Sequence, residues 1–295
     1  MKDSRFTIIM MALAFLLALP VGATTVFLGA AENFAVLGGQ TVTNTGPTTI
    51  TGGVGLYAGT SITGLSSMTV NGTSGVSNPA VHITDALAQQ AQVDLANAIL
   101  NLNGLGPGTN LGTSYATGTE TLLPGVYSTP ASTFDVNGTL TLNFGNTANT
   151  SFIFLVGSSL TAEVGSKVIL ANVGAGDSVF WVMPSGSATI LGGAEFEGNI
   201  LANQSISFGA GATLQCGRVE ANVGAVTLDA NVISIGCENA PVLDTKTGLT
   251  TTGNAFLEGS NALAGGSAVP EPASFLLGGL GLVLVSLVKR HHHTK

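Results

Sequence analysis

Two carboxylates stand at a spacing that suits acid–base chemistry. Glu195 and Glu197 are two apart on a strand-like run and share one face. Such pairs work beside a cation that stabilises developing charge. No basic residue recurs near them in the sequence, so they read as solvated surface groups, and no catalytic residue is assigned. His82 is the one histidine outside the C-terminal run His291-His292-His293, and reads as a helix-surface or boundary residue. There is no Cys-x-x-Cys pair and no repeated Asp/Gly calcium motif, so neither a metal site nor a cofactor is expected. Ser185-Gly186-Ser187 has no histidine close in sequence to activate a nucleophile. Cys216 and Cys237 read as a disulfide, which stabilises by about 3 kcal/mol on the chain-entropy estimate, with two buried thiols as the alternative. What does recur is a hydroxyl: Thr141, Thr161, Thr189, Ser207 and Thr227 follow one another at nearly even intervals, the longest lying between Thr161 and Thr189.

Short alternating runs carry those hydroxyls. Gly138-Thr139-Leu140-Thr141-Leu142-Asn143, Ser159-Leu160-Thr161-Ala162, Ser187-Ala188-Thr189-Ile190, Ser205-Ile206-Ser207-Phe208 and Ala225-Val226-Thr227-Leu228 each place apolar residues on one side and hydroxyls on the other. A repeat of about 20 residues is one coil of a β-solenoid, in which each rung stacks on its neighbours. The longest interval holds an insertion around Val173-Gly174-Ala175-Gly176-Asp177, a turn-rich loop able to bulge outward. Small-residue corners such as Gly209-Ala210-Gly211 follow the strands, and Phe152-Ile153-Phe154-Leu155-Val156 and Val179-Phe180-Trp181-Val182-Met183 complete the coils. Before them, Phe34-Ala35-Val36-Leu37 and Val42-Thr43-Asn44-Thr45 read as further coils.

One segment departs from the β pattern. Ala80, Ile83, Leu87, Ala91, Leu95, Ala98 and Leu102 step by three or four, which predicts an amphipathic helix over about 79–102, capped by Asn78, begun at Pro79 and ended at Gly104. Its Ala- and Leu-rich stripe should lie along one face of the solenoid. After Cys237 the periodicity fades, and 238–268 read as a flexible linker.

The ends speak for export. Lys2 and Arg5, the apolar run 6–19, Pro20 and the small residues to Ala23 form a secretory signal over 1–23; the run is short for a membrane anchor, which needs about 20 residues. At the other end Val269-Pro270-Glu271-Pro272 precedes an apolar stretch, 273–288, and a basic close. That plan resembles the PEP-CTERM sorting tails over 269–295. The resemblance implies a transient membrane anchor, recognition by an exosortase-type enzyme, and a cell-surface or extracellular location in a Gram-negative bacterium. The histidine run reads as part of that basic end, an added tag being the alternative. Between 24 and 268 the only basic residues are Lys167, Arg218 and Lys246, in a chain of net charge −8. Phosphate backbones would repel such a surface, so nucleic acid is excluded as a partner.

The order of the pieces in 24–237 resembles the bacterial and fungal ice-binding proteins. The likeness is carried by Ala31-Glu32-Asn33-Phe34-Ala35-Val36-Leu37 with Thr43-Asn44-Thr45-Gly46-Pro47, by Ala80-Val81-His82, by Leu123-Pro124-Gly125-Val126-Tyr127, and by Gly198-Asn199-Ile200-Leu201-Ala202 with Gly224-Ala225-Val226-Thr227-Leu228-Asp229. It implies a mostly β fold: a right-handed, discontinuous, three-sided β-solenoid in which the segment before a long accompanying α-helix stacks against the last coil. It also implies a partner, ice with its ordered water. Rungs about 4.8 Å apart turn a column of threonines into an array of hydroxyls and methyls. Family corners favour Thr, Ala or Gly, any residue, then Thr or Asn. Here only Thr213, beside Ala210 and Ala212, keeps that pattern, and Lys167, Glu195 and Asp229 put charges at corners. The column from Thr141 to Thr227 is therefore the expected ice face, Ala210, Ala212 and Thr213 are secondary candidates, and modest antifreeze activity is expected. A structural or adhesive role in a biofilm matrix, against exopolysaccharide, is the alternative.

Overall fold

The computed structural model describes residues 26–71, 73–74, 78–112, 118–129, 133–237, 241–244 and 249–252; the expected signal and sorting tail lie outside them. Each full coil contributes three short strands, and like strands of successive coils pair in parallel, producing three sheets. A coil runs through sheet B, then C, then A; the coil starting at Ser159–Ala162 continues through Lys167–Ala171 to Ser178–Met183. Inward residues of all three walls meet in one core, including Leu160, Ile190, Phe208, Leu140, Leu214 and Val179. Aromatics stack along it in strand register. Phe154 lies between Tyr127 and Trp181, with ring centroids 5.4 and 4.0 Å apart, and Trp181 Nε1 donates to the Glu197 carbonyl at 2.9 Å.

The stack does not follow chain order. In sheet A, Phe34–Gly38 pairs with Val219–Ala221, and in sheet B Thr41–Thr45 pairs with Val226–Asp229. The first coils thus continue the pile beyond the last one. Side chains tie this junction: Arg218 donates to the Glu32 carbonyl at 3.0 and 3.3 Å and to Asn199 Oδ1 at 3.0 Å.

Helix α1 (Ala86–Asn103) lies along sheet A. Its buried stripe, Ala88, Ala91, Gln92, Leu95, Ala98, Ile99 and Leu102, packs with Leu37, Leu201, Val182 and Ile153 in a second apolar layer. The middle of sheet A is therefore covered on both sides, and its strands Phe34–Gly38, Ser178–Met183 and Asn199–Ala202 are buried throughout. Gln92 Nε2 donates to the carbonyls of both Gly38 (2.9 Å) and Ala221 (3.2 Å), so the helix clamps the joint between the two ends of the pile.

The helix begins later than its apolar period suggests. Val81–Ile83 is a strand paired with Gly53–Leu56 at the end of sheet A, where β-branched residues fit the pleat. Thr84 turns the chain with φ +55°. Asp85, rather than Asn78, is the N-cap, its Oδ1 accepting from Ala88 N at 2.9 Å; this bond foremost lowers its pKa, helped by His82. Asn78 instead closes a turn, donating to the Val70 carbonyl and accepting from Ala80 N.

Part of the expected linker is also ordered. Pro241–Asp244 pairs in parallel with Leu170 and Ala171, and antiparallel with Leu249–Thr252. Cys216 and Cys237 form a disulfide. Among the described residues no helix is long and apolar enough to cross a membrane.

Candidate functional site

Sheet B presents the hydroxyls. Its strands run in the order Phe134–Val136, Ser159–Ala162, Ser187–Ile190, Ile206–Phe208, Val226–Asp229, Thr41–Thr45 and Ser61–Thr63. Alternation sends Leu160, Ala188, Ile206, Val226 and Val42 into the core, so the residue after each faces outward. Those outward residues lie in register: Asp135, Thr161, Thr189, Ser207, Thr227, Thr43 and Thr63. Six consecutive rungs carry a hydroxyl, a row about 24 Å long at the strand spacing. Two residues earlier on the same strands stand Ser159, Ser187, Ser205, Ala225, Thr41 and Ser61, a parallel row about 6.6 Å away. Within the first row no side-chain hydrogen bond to another described residue engages Thr161, Thr189, Ser207, Thr227, Thr43 or Thr63. Their hydroxyls are open to water, with one methyl beside each threonine hydroxyl.

The structure joins four of the five predicted column residues, Thr161, Thr189, Ser207 and Thr227, and moves the fifth. Thr141 belongs to sheet C, where it pairs with Thr121 and Ile169, and it is 8 % exposed. The place below Thr161 is held by Asp135, which precedes Thr141 in the chain. Counting back one ordinary coil misplaces this position because two coils are lengthened. The loop after Val173 is stacked on a second loop after Phe144: Asn146 N donates to the Asn172 carbonyl and Asn149 N to that of Ala175, both at 2.9 Å. Asp177 secures the pair, accepting from Gly174 N and from Thr150 N and Oγ1 at 2.7–2.9 Å; burial pushes its carboxyl pKa up.

Thr43 and Thr63 extend the row and escape detection by period alone, because their coils lie on the far side of the helix in sequence. Thr41-Val42-Thr43 and Ser61-Ile62-Thr63 have the same hydroxyl–apolar alternation as the later rungs, and are the signal that points to them.

The secondary candidates stand elsewhere. Ala210 is exposed on the corner between sheets B and C, Ala212 is buried in the core, and Thr213 is half-buried on sheet C between Glu195 and Val232. Asn231 braces this corner, donating to the carbonyls of Gly209 and Ala212 at 2.9 Å.

Charge also distributes differently from its appearance in sequence. Lys167 and Glu195 are neighbours on sheet C and pair at 2.7 Å; a basic partner for Glu195 does exist, one coil away. Glu197 is not solvated but 1 % exposed, and burial first, then the charge of Glu195, raises its pKa well above the usual carboxylate range. On sheet B, Asp135 closes the end of the row, while Glu163 and Asp229 stand at the edge toward sheet C. The middle of sheet B is free of charge. His82 sits at the rim of sheet A, its Nδ1 2.6 Å from Asp85 Oδ2 and its ring edge-on to Phe34.

Residues 36–234 match the family model described as ice-binding-like. The chain belongs to this family. Among its ice-binding-like relatives, an ice-binding protein of Nostoc sp. (strain HG1) is 43 % identical over 74 % of this chain and 77 % of its own length. One from Flavobacterium frigoris (strain PS1) is 33 % identical over 70 % and 75 %. In solved structures, an ice-binding protein from an Antarctic biological consortium superposes with a TM-score of 0.64 at 37 % identity, covering 72 % of this chain and 91 % of that one. That of Antarctomyces psychrotrophicus gives 0.62 at 32 % identity over 72 % and 98 %. This ice-binding-like chain thus shares with them the discontinuous solenoid and its flanking helix, expected from the order of the sequence motifs.

Proposed function

We propose that this chain binds ice through sheet B, and that its activity is of the antifreeze, recrystallisation-inhibiting kind. The observation that carries the reading is the in-register row from Thr161 through Ser207 and Thr227 to Thr63, whose hydroxyls are not engaged within the described residues. A rigid two-row grid of hydroxyls and methyls can hold a layer of water in fixed positions, and ice then grows onto that layer. A charged wall would orient water around ions instead. Thr161, Thr189, Ser207, Thr227, Thr43 and Thr63 are the contact residues in this reading, with Ser159, Ser187, Ser205 and Thr41 beside them. Membership in the family and the identity to named ice-binding proteins support it.

The test is thermal hysteresis and recrystallisation inhibition of the purified protein beside a Thr189→Lys/Ser207→Lys variant. The parent shapes ice crystals and the variant loses most of its hysteresis while keeping its melting temperature. A parent without effect on ice removes the reading; a fully active variant moves the site to another wall. We further propose export through the signal at 1–23 and processing of the tail at Val269-Pro270-Glu271-Pro272 by an exosortase-type enzyme, with transient membrane attachment through 273–288. Mass spectrometry of the protein recovered from the cell surface reads both cuts.

A further inference from the structure

Strand Lys167–Ala171 has an edge that its neighbouring coils do not fill. On one side it pairs along all five residues with Thr139–Asn143. On the other, Glu195–Glu197 meets it only at Lys167. The cause is the lengthened coil: the shorter one turns at Gly198, φ +99°, while the longer strand continues to Ala171 before its loop. Beyond Ile169 the backbone would be an open parallel edge, the kind of site that pairs with other strands. Val242 and Leu243 pair there with Leu170 and Ala171.

Burial on sheet C points to the same place. Its outward residues form two rows. In the row next to sheet B, Lys167, Glu195 and Thr213 are half-buried and Val232 and Thr49 are exposed. In the row next to sheet A, Thr141, Glu197, Gln215 and Ser234 point away from the core and are buried, Ile169 is half-buried, and Thr121 and Thr51 toward the two ends are exposed. On this wall the middle of the row next to sheet A is the covered part.

We propose that the step between long and short coils is a strand-acceptor site for the chain's own segment after the disulfide. Pro241–Asp244 straps down the sheet A side of sheet C. The disulfide from Cys237 to Cys216 ties the chain to the solenoid shortly before the strap. Leu170 and Ala171 lie at the end of their sheet C strand remote from sheet B, so the strap itself leaves the hydroxyl rows uncovered. That consequence rests on the ice-face reading; the strap itself does not.

Hydrogen exchange on the full chain tests it. An isolated two-stranded hairpin is marginal in water, so amides in 241–244 exchange at least about tenfold slower than unstructured rates only if the strand is docked. Leu243→Pro removes an amide donor and should speed exchange in a peptide spanning 167–172, leaving 199–202 unchanged. A synthetic peptide of residues 238–254, added in excess to that variant, should restore protection. Unstructured rates at 241–244 in the unaltered chain overturn the proposal, whatever the variant does. So does an unchanged 167–172 peptide in Leu243→Pro.

Discussion

Glu220→Gln should make the protein markedly more stable in alkaline solution than in acid, relative to the parent. Glu220 is fully buried on the helix-covered side of sheet A, in register between Leu37 and Leu201. Among the described residues neither carboxylate oxygen has a hydrogen-bond partner. Burial pushes its pKa from 4.5 to about 8, against the pull of Arg218 and with a further push from Glu32. The folded state therefore holds this proton more tightly than the unfolded chain does. Below about pH 4.5 both states are protonated and nothing is lost. Between pH 4.5 and about 8 unfolding is favoured by release of the proton, and stability falls as pH rises. At about 1.4 kcal/mol per pH unit, the span amounts to about 5 kcal/mol as an upper bound. Glutamine keeps the shape and cannot ionise, so the stability difference, variant minus parent, should grow by several kcal/mol from pH 4.5 to 8.5. Any constant cost of burying the amide drops out of that slope. Glu197, shifted in the same direction, is common to both proteins and cancels. Urea unfolding followed by Trp181, the single, buried tryptophan, measures it. A difference independent of pH would mean that Glu220 is hydrated or paired in the folded protein, and the reasoning would fail.

Four further outcomes follow from the geometry. Asp135→Thr continues the hydroxyl row by one rung and should raise thermal hysteresis above the parent, read by nanolitre cryoscopy. The pair Lys167→Thr/Glu195→Thr, on sheet C, should leave ice shaping unchanged; a loss would put the active wall there. Cys216→Ser/Cys237→Ser should cost about 3 kcal/mol in urea unfolding, with the parent losing a similar amount when reduced. Asp85→Ala removes the helix cap and should cost about 1 kcal/mol, seen as a lower melting temperature.

Much of this architecture can be read from the chain because its parts follow local rules. Leu160-Thr161-Ala162 and Val226-Thr227-Leu228 show their inward and outward sides by alternation alone, and the stripe from Leu87 to Leu102 shows the helix. What cannot be read locally is the length of each coil. Two stacked loops, after Phe144 and after Val173, change the count between rungs, so the position one ordinary coil before Thr161 falls on sheet C and the true neighbour is Asp135. The same limit hides the partners of charges: Lys167 and Glu195 meet across 28 residues. At His82 the failure is of another kind. Val81–Ile83 satisfies both a helical and a strand pattern, and the free edge of Gly53–Leu56 decides between them. Asn78 has a capping residue's chemistry but spends it on the turn that leads into that strand.

The junction between Thr43 and Thr227 has a consequence in time. The hydroxyl row is built from both ends of the chain, and Thr43 meets Thr227 only when the last coil has been made. Such distant pairings are slow to form, because a long loop must close before any contact rewards it. A ribosome or an export channel that releases the chain from its N-terminus delivers the first coils, paired with one another, before the last coil on which they stack. Until Val226–Asp229 emerges they present open strand edges, and the clamp of Gln92 across Gly38 and Ala221 cannot be set. The grid is complete only in a complete chain. A fragment cut before the last coil loses two rungs of its surface along with the coil itself.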